Sequence, residues 1–367
     1  MDNEINRLIL DTKVPAPLKS PVVIYGAGSA GAAVCTHLTA VGYQVSAFLD
    51  ANAKPRQQRL GLPVQKPQEW LKVNKPNEFD VVVGIHNFAV DMVPLLTDIA
   101  RMGFARVVNI VEYQNLFPDD RGFRYWLAPR TFYRPFLQDF ERLSAALADD
   151  ESRAWLKSLL LLRLTGDYAA LPAHTPQEQY GPKALPRWPN PMRFIDCGAF
   201  TGDTIEHFAR GDYRFDAIAA FEPDPANFGP LRSRATAHGP AACFPCGVGA
   251  STSIVRFQSG AGMGSRSSPD GDSFIQLVAI DDALGNFGPT LIKMDVEGAE
   301  IDALWGAKKT IETYRPGLAI CIYHQPAHLW QIPLLIQSWN LGYRLFIRGH
   351  GGNGFDLVMY AIPGSML

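Results

Sequence analysis

The sequence predicts an α/β protein of two Rossmann-like units, the smaller one first, with a helical linker between them. Three observations carry that expectation. Short apolar, β-rich runs alternate with helically patterned segments in both halves, as they do where parallel strands are joined by crossover helices. A glycine-rich turn follows the first strand of each half. Between the halves lies a segment dense in proline, which sustains neither helix nor central strand. At 367 residues the chain also exceeds what one hydrophobic core usually organises. The expected domains are residues 1–117, nucleotide-binding in type; 118–191, a helical connector and proline-rich loop; and 192–367, the main domain.

In chain order, residues 21–25 (PVVIY) form the first strand, Gly26, Gly28 and Gly31 a G-x-G-x-x-G turn, and a helix follows through Leu38. A second strand, expected at 44–49, ends on Asp50. That residue stands 19 positions after Gly31, near where dinucleotide folds place a ribose-binding carboxylate. A strand at 79–83, a helix over 90–102 and a strand at 106–110 continue the alternation, and this domain ends near Phe117. From Pro129 to Leu164 the apolar spacing turns helical, with Phe136, Phe140, Leu143 and Leu147 three and four apart. Six prolines between 172 and 191 then mark an extended loop. Beyond it seven strands are expected, at 193–197, 217–221, 242–248, 291–295, 317–323, 343–347 and 357–361. The last two have only a glycine-rich turn, Gly349 to Gly354, between them and therefore pair as an antiparallel hairpin.

Composition removes several function classes. Apolar residues make up 47% and charged residues 19%, which is ordinary globular usage and excludes a fibrous or wholly disordered chain. A net charge of −2 without a Lys/Arg stripe gives no footprint for nucleic acid. The opening MDNEINRL is polar where a secretory signal would be basic and then apolar, and no apolar run is long enough to span a bilayer, so a cytoplasmic protein without a membrane span is expected. Cysteines 35, 197, 243, 246 and 321 sit mostly in apolar strand-like segments, as small hydrophobes do. Cys243 and Cys246 form a C-x-x-C with no second ligand pair, so neither a zinc ribbon nor a disulfide framework is expected.

The residues that carry chemistry cluster at predicted strand ends. Asp196 closes a strand, and Gly198 and Gly202 shape the turn into the next helix, ahead of Asp203. Glycine lets backbone amides approach a ligand, and carboxylates accept hydrogen bonds from an ammonium or hydroxyls, which suits the amino-acid end of S-adenosylmethionine. The following strand ends in Phe221-Glu222-Pro223-Asp224, with Glu222 20 residues after Gly202, where an adenosine ribose diol is held in doubly wound folds. A third group, Lys293-Met294-Asp295-Val296-Glu297-Gly298-Ala299-Glu300, follows the fourth strand.

In that order and spacing, DCGAFTGD, FEPDPANF and KMDVEGAE resemble the FkbM family of methyltransferases over about residues 192–362. The resemblance implies a class I, seven-stranded methyltransferase fold, S-adenosylmethionine as cofactor and O-methylation of a hydroxylated small-molecule or glycan acceptor, free or nucleotide-linked. By position it implies that Asp196, Gly198, Ala199, Gly202 and Asp203 line the methionine moiety, Glu222 and Pro223 the ribose, Gly247 the adenine side, and Asp295 and Glu297 the rim between cofactor and acceptor.

A hydroxyl acceptor must also lose a proton. His324, in YHQPAHLW after the fifth strand, lies at the active end of the sheet and is the candidate base, with a loop histidine bonded to backbone as the open alternative. His328 and His350 fall on the same side as Asp295, but their spacing across loops gives no ligand pattern and no metal is expected. The front segments IYGAGSAGAAV, FLDAN and GLPV are similar to the N-terminal domains of sugar O-acyltransferases, which bind nucleotide-linked sugars. Those domains carry consecutive acidic residues where this chain has Asp50-Ala51-Asn52. Gly26, Gly28, Gly31 and Asp50 thus outline a second nucleotide site, beside the alternative of a domain kept for packing or recognition. Two further readings stay open: an NAD-dependent sugar-nucleotide oxidoreductase, which lacks a Tyr-x-x-x-Lys pair after the glycine turn, and a non-catalytic nucleotide-sugar binding module.

Overall fold

The computed structural model describes residues 3–11, 15–19, 21–120, 125–258, 266–267, 271 and 273–366. The chain divides into two compact units. One comprises Met1–Glu141, Ala154–His174 and Gly351–Phe355; the other comprises Arg142–Arg153, Thr175–His350 and Asp356–Leu367. Among the described residues no helix is long and apolar enough to cross a membrane, and all five cysteines are free thiols.

In the first unit, β1 (Val22–Tyr25), β2 (Val45–Leu49), β3 (Gln58–Arg59), β4 (Leu62–Gln65), β5 (Asp80–Val83) and β6 (Arg106–Val108) form a sheet in the order β3-β4-β2-β1-β5-β6. Only the β3–β4 pair is antiparallel. β1 and β5 are buried from end to end, as strands covered on both faces must be. The expected strand at 106–110 stops at Val108 because Asn109 caps the helix Ile110–Leu116. Its side chain accepts from the Val111 and Glu112 N–H groups while Glu112 accepts from the Asn109 N–H. Gly31 lies in the helix Ser29–Ala40, and a Cβ there would collide with the Gly26 carbonyl, so the helix settles onto the turn only because the residue is glycine.

The second unit holds β7 (Met192–Cys197), β8 (Phe215–Phe221), β9 (Ala241–Phe244), β10 (Gly247–Val248), β11 (Ser253–Gln258), β12 (Arg266–Ser267), β13 (Ser273–Val278), β14 (Leu291–Met294), β15 (Gly317–Cys321), β16 (Tyr343–Gly349) and β17 (Leu357–Pro363). Seven of these form the main sheet, in the order β16-β17-β15-β14-β7-β8-β9. β16 and β17 pair antiparallel, as the missing helix between them predicts, and the other neighbours are parallel apart from β15–β17. The chain winds from β7 outward through β8 and β9, then returns to the far side of β7 for β14 and β15. The reversal falls between β7 and β14, and the crevice above the carboxyl ends of such neighbours is where open α/β sheets take ligands.

In the first unit β3 and β4 add two strands to those expected, and in the second unit two features differ. The single strand expected at 242–248 is two short ones, because Pro245 offers no N–H to a ladder; β9 stays in the main sheet while β10 joins another. The other strands of that second sheet, β10-β13-β11-β12, fill a stretch to which the sequence pattern assigned no strands, with β11 and β13 antiparallel from Ser253 opposite Leu277 to Phe257 opposite Ser273.

Candidate functional site

At the end of β7, Asp196 is fully buried and pairs with the equally buried Lys293 of β14, 3.0 Å from Oδ1 to Nζ. Nζ also donates to the Gly198 carbonyl at 2.6 Å. Burial pushes the Asp196 carboxyl up, and Lys293 offsets part of that. Burial opposes the Lys293 charge too, but the Asp196, Asp295 and Asp203 carboxylates hold the ammonium above its ordinary value. The strand ends of β7 and β14 meet so closely that a Cβ on Gly198, at φ +73°, would collide with the Asp295 carbonyl oxygen. The Gly198 and Ala199 N–H groups both donate to the Phe221 carbonyl of β8, and Gly202, at φ +83°, opens the helix Asp203–Arg210 with Asp203 exposed in its first turn.

Glu222 at the tip of β8 draws this turn toward the next one. Oε2 accepts from the Phe200 N–H at 3.0 Å; Oε1 accepts from the Asp224 N–H at 2.9 Å and from the Asn227 amide at 3.3 Å. Burial raises its pKa, and these three donors work against the rise. Pro223 follows, half-buried, and Asp224 caps the helix Pro225–His238. Gly247 has its contacts in the smaller sheet, opposite Leu277.

The turn after β14 gathers the rest. Glu300, fully buried at the start of the helix Glu300–Gly306, accepts from the Val296 N–H at 3.0 Å. Its Oε1 lies 2.7 Å from His324 Nδ1 and its Oε2 lies 3.1 Å from His328 Nδ1. His324 Nε2 in turn faces Asp295 Oδ1 at 3.3 Å and Glu297 Oε1 at 3.8 Å, while the Tyr323 ring lies against the imidazole. Burial by itself would lower the His324 pKa, but Glu300, Asp295 and Glu297 outweigh it and push the imidazole up to about 9. The two histidines likewise overcome burial at Glu300 and hold its carboxyl far below the usual range. The other oxygen of Asp295, Oδ2, accepts from the Tyr180 phenol at 2.7 Å.

The structure therefore brings Asp196, Gly198, Ala199, Gly202, Glu222, Asp295, Glu297 and His324 to the carboxyl ends of β7, β8, β14 and β15. His350 stays apart: Nδ1 faces the Thr175 carbonyl at 2.9 Å and Nε2 the Tyr360 phenol at 2.8 Å. Among the described residues, Asp295, Glu300 and His324 form a group of metal-ligand types whose atoms lie within 4.8 Å of one another, but the 2.7 Å contact inside it is that of a hydrogen-bonded acid–imidazole pair. Sequence reasoning missed the pairing roles of Lys293 and Glu300, although both stand in KMDVEGAE, and missed Tyr180, which no motif marks.

In the first unit, Asp50 Oδ2 accepts from the Ala27 N–H at 3.0 Å and Oδ1 from the Asn52 N–H at 2.8 Å. Gly26, at φ +100°, has Ile85 2.8 Å from where a Cβ would stand, whereas Gly28 faces open space. The carboxylate of the second strand is thus bound to the glycine turn of the first.

Against known proteins, residues 196–345 of the second unit match the family model of the methyltransferase FkbM domain. Over that stretch the second unit is similar to the methyltransferase FkbM domain. Residues 21–90 match the PglD N-terminal domain, which agrees with the acyltransferase-like reading of the front segments. A crystal structure of methyltransferase FkbM from Methylobacillus flagellatus KT is similar in fold, with a TM-score of 0.76 and 23% identity; the match covers 93% of this chain and 89% of that one. No curated protein matches the chain.

Proposed function

We propose that the chain transfers the methyl group of S-adenosylmethionine to a hydroxyl oxygen of a sugar, glycan, nucleotide-sugar or related metabolite. The observation that carries this reading is the buried Glu300–His324 pair, whose outer nitrogen faces Asp295 and Glu297 at the reversal point of the sheet. Such a face can hold an alcohol by its hydroxyl and take its proton.

The residues fit the cofactor. Glu222 spends about three of four lone-pair positions on protein donors, which leaves one for a ribose hydroxyl. Asp196, Gly198, Ala199, Gly202 and Asp203 would hold the amino-acid end, Glu222 and Pro223 the ribose, and Gly247 the adenine side. S-adenosylmethionine supplies an electrophilic methyl carbon on a sulfonium sulfur. Asp295 and Glu297 accept from the acceptor's hydroxyls and fix its line of approach, which is where most of the rate of a displacement arises. His324 Nε2 would take the proton of the acceptor's hydroxyl, and Glu300 would stabilise the resulting imidazolium through Nδ1. Because the imidazole is pushed up to about 9, its neutral form grows between pH 7 and 9, and the rate is expected to rise over that interval.

For the first unit, we infer that the turn of Gly26, Gly28 and Gly31 with Asp50 takes the nucleotide of a nucleotide-linked acceptor; the open space before Gly28 supports this. Calorimetric titration with S-adenosylmethionine, S-adenosylhomocysteine, NAD and UDP-sugars tests both sites. Adenosyl binding that weakens at least about tenfold in Glu222→Ala, and a UDP-sugar signal lost in Asp50→Ala, are the expected results. Binding of NAD alone, through Asp50, would overturn the reading.

A further inference from the structure

Residues 172–191 have the composition of a spacer, yet one of them reaches the site of the methyltransferase domain. Tyr180 is buried, and both sides of its peptide are fixed: its N–H donates to the Tyr360 phenol oxygen at 2.9 Å and its carbonyl accepts from Trp188 Nε1 at 2.6 Å. From that anchored backbone, at φ +66°, the ring lies 5.4 Å from Lys293 Nζ and the phenol donates to Asp295 Oδ2 at 2.7 Å. The two oxygens of Asp295 are thereby given separate tasks. Oδ2 takes the phenol, and Oδ1 faces His324 Nε2 at 3.3 Å.

We propose that Tyr180 is a positioning residue for methyl transfer, holding Asp295 so that one oxygen alone is turned toward His324. The terminal torsion of an aspartate is broad, so a carboxylate without a fixed donor samples many orientations around its neighbours. A neutral phenol fixes the plane and shares the negative charge without adding a positive one. Burial and the adjacent Asp295 keep the phenol protonated, so it remains a donor. The other groups that face His324 are Glu300, Glu297 and the Tyr323 ring, with His328 reaching it through Glu300. The Tyr180 phenol is a neutral donor fixed on Asp295 Oδ2, which suits it to that task. The inference rests on the methyl-transfer reading for what the site does, but not for its test.

The test is the titration of the His324 ring by NMR in the full-length chain, in Tyr180→Phe, in Asp295→Asn and in the double variant. Phenylalanine fills the same space and keeps its ring beside Lys293, so a role confined to packing leaves the His324 titration where it was. A positioning role moves it: without the phenol, the undivided charge of Asp295 closes on Nε2 and raises the His324 pKa by about half a unit or more. In the Asp295→Asn background, which lowers the His324 pKa, Tyr180→Phe is expected to add nothing. An unmoved titration in Tyr180→Phe overturns the proposal, as does an equal shift with and without Asp295. Should Tyr180→Phe fail to fold, Asp295→Asn still decides, since an unmoved His324 there removes the link through which Tyr180 acts. S-adenosylmethionine binding measured on the same samples keeps the two readings apart: intact binding with an unmoved His324 sinks only this inference.

Discussion

The two units place a glycine turn after the first strand and a carboxylate at the tip of the second, and they use them differently. In the first unit Asp50 bonds to the Ala27 N–H of the glycine turn and to the Asn52 N–H close by. In the second, Glu222 reaches a turn N–H, that of Phe200, and two donors beyond its own strand. The larger contrast lies one strand further in. After β5 the first unit has Gly84, where a Cβ would stand 2.6 Å from the Gly31 Cα, and then His86 amid the rings of Tyr125, Trp126 and Phe355. After β14 the second unit has Asp295, Glu297 and Glu300 around His324. The same backbone plan carries an ionised cluster in one place and an aromatic one in the other, so the plan by itself does not assign chemistry.

The contrast is broken or sharpened most strongly by Glu300→Ala. It leaves two buried histidines without their shared carboxylate and is expected to cost about 3–5 kcal/mol in urea unfolding of the second unit. Asp50→Ala, which removes donors' partners from a half-exposed turn, is expected to cost about 1 kcal/mol. Equal costs would mean that the two acidic positions are structurally alike. Next in size, Gly198→Ala meets both a positive φ and the Asp295 carbonyl and is expected to lose about 2–4 kcal/mol, whereas Gly28→Ala, with open space around it, stays within about 0.5 kcal/mol. Circular dichroism melts of the two variants settle that difference. The pH dependence is smaller and has a defined sign. His324 is raised from 6.5 to about 9 on folding, so its contribution to stability is fully present below about pH 6.5 and is lost as the pH rises through 9. Unfolding midpoints measured between pH 6 and 9.5 are expected to fall across that window, and to do so less in Glu300→Gln.

Much of this site was legible because the relevant residues are local in sequence. Asp196, Glu222 and Asp295 each close a strand beside a turn, and a strand end followed by glycine or proline is recognisable without knowing its neighbours. Cysteine spacing, charge and the missing helix between the last two strands were equally local signals. What escaped depends on tertiary approach. Glu300 and His324 stand on different elements, 24 positions apart, and only the closeness of β14 and β15 joins them. Tyr180 sits in a segment whose prolines leave only a 3-10 turn at Pro176–Glu178 and carry no information on where the loop runs. The break at Pro245 is readable from the missing N–H, whereas the smaller sheet is not, because Ile254 and Val255 are adjacent apolar residues and break a strict alternation.

The burial of Lys293 has a bearing on covalent reactivity. Acylating and alkylating reagents attack the uncharged amine, and this side chain is both enclosed and kept as an ammonium by Asp196, Asp295 and Asp203. In the folded chain it is therefore among the slowest lysines to modify, while in any state that parts β7 from β14 it becomes an ordinary one. A reagent that marks Lys293 reports that the two strand ends have separated.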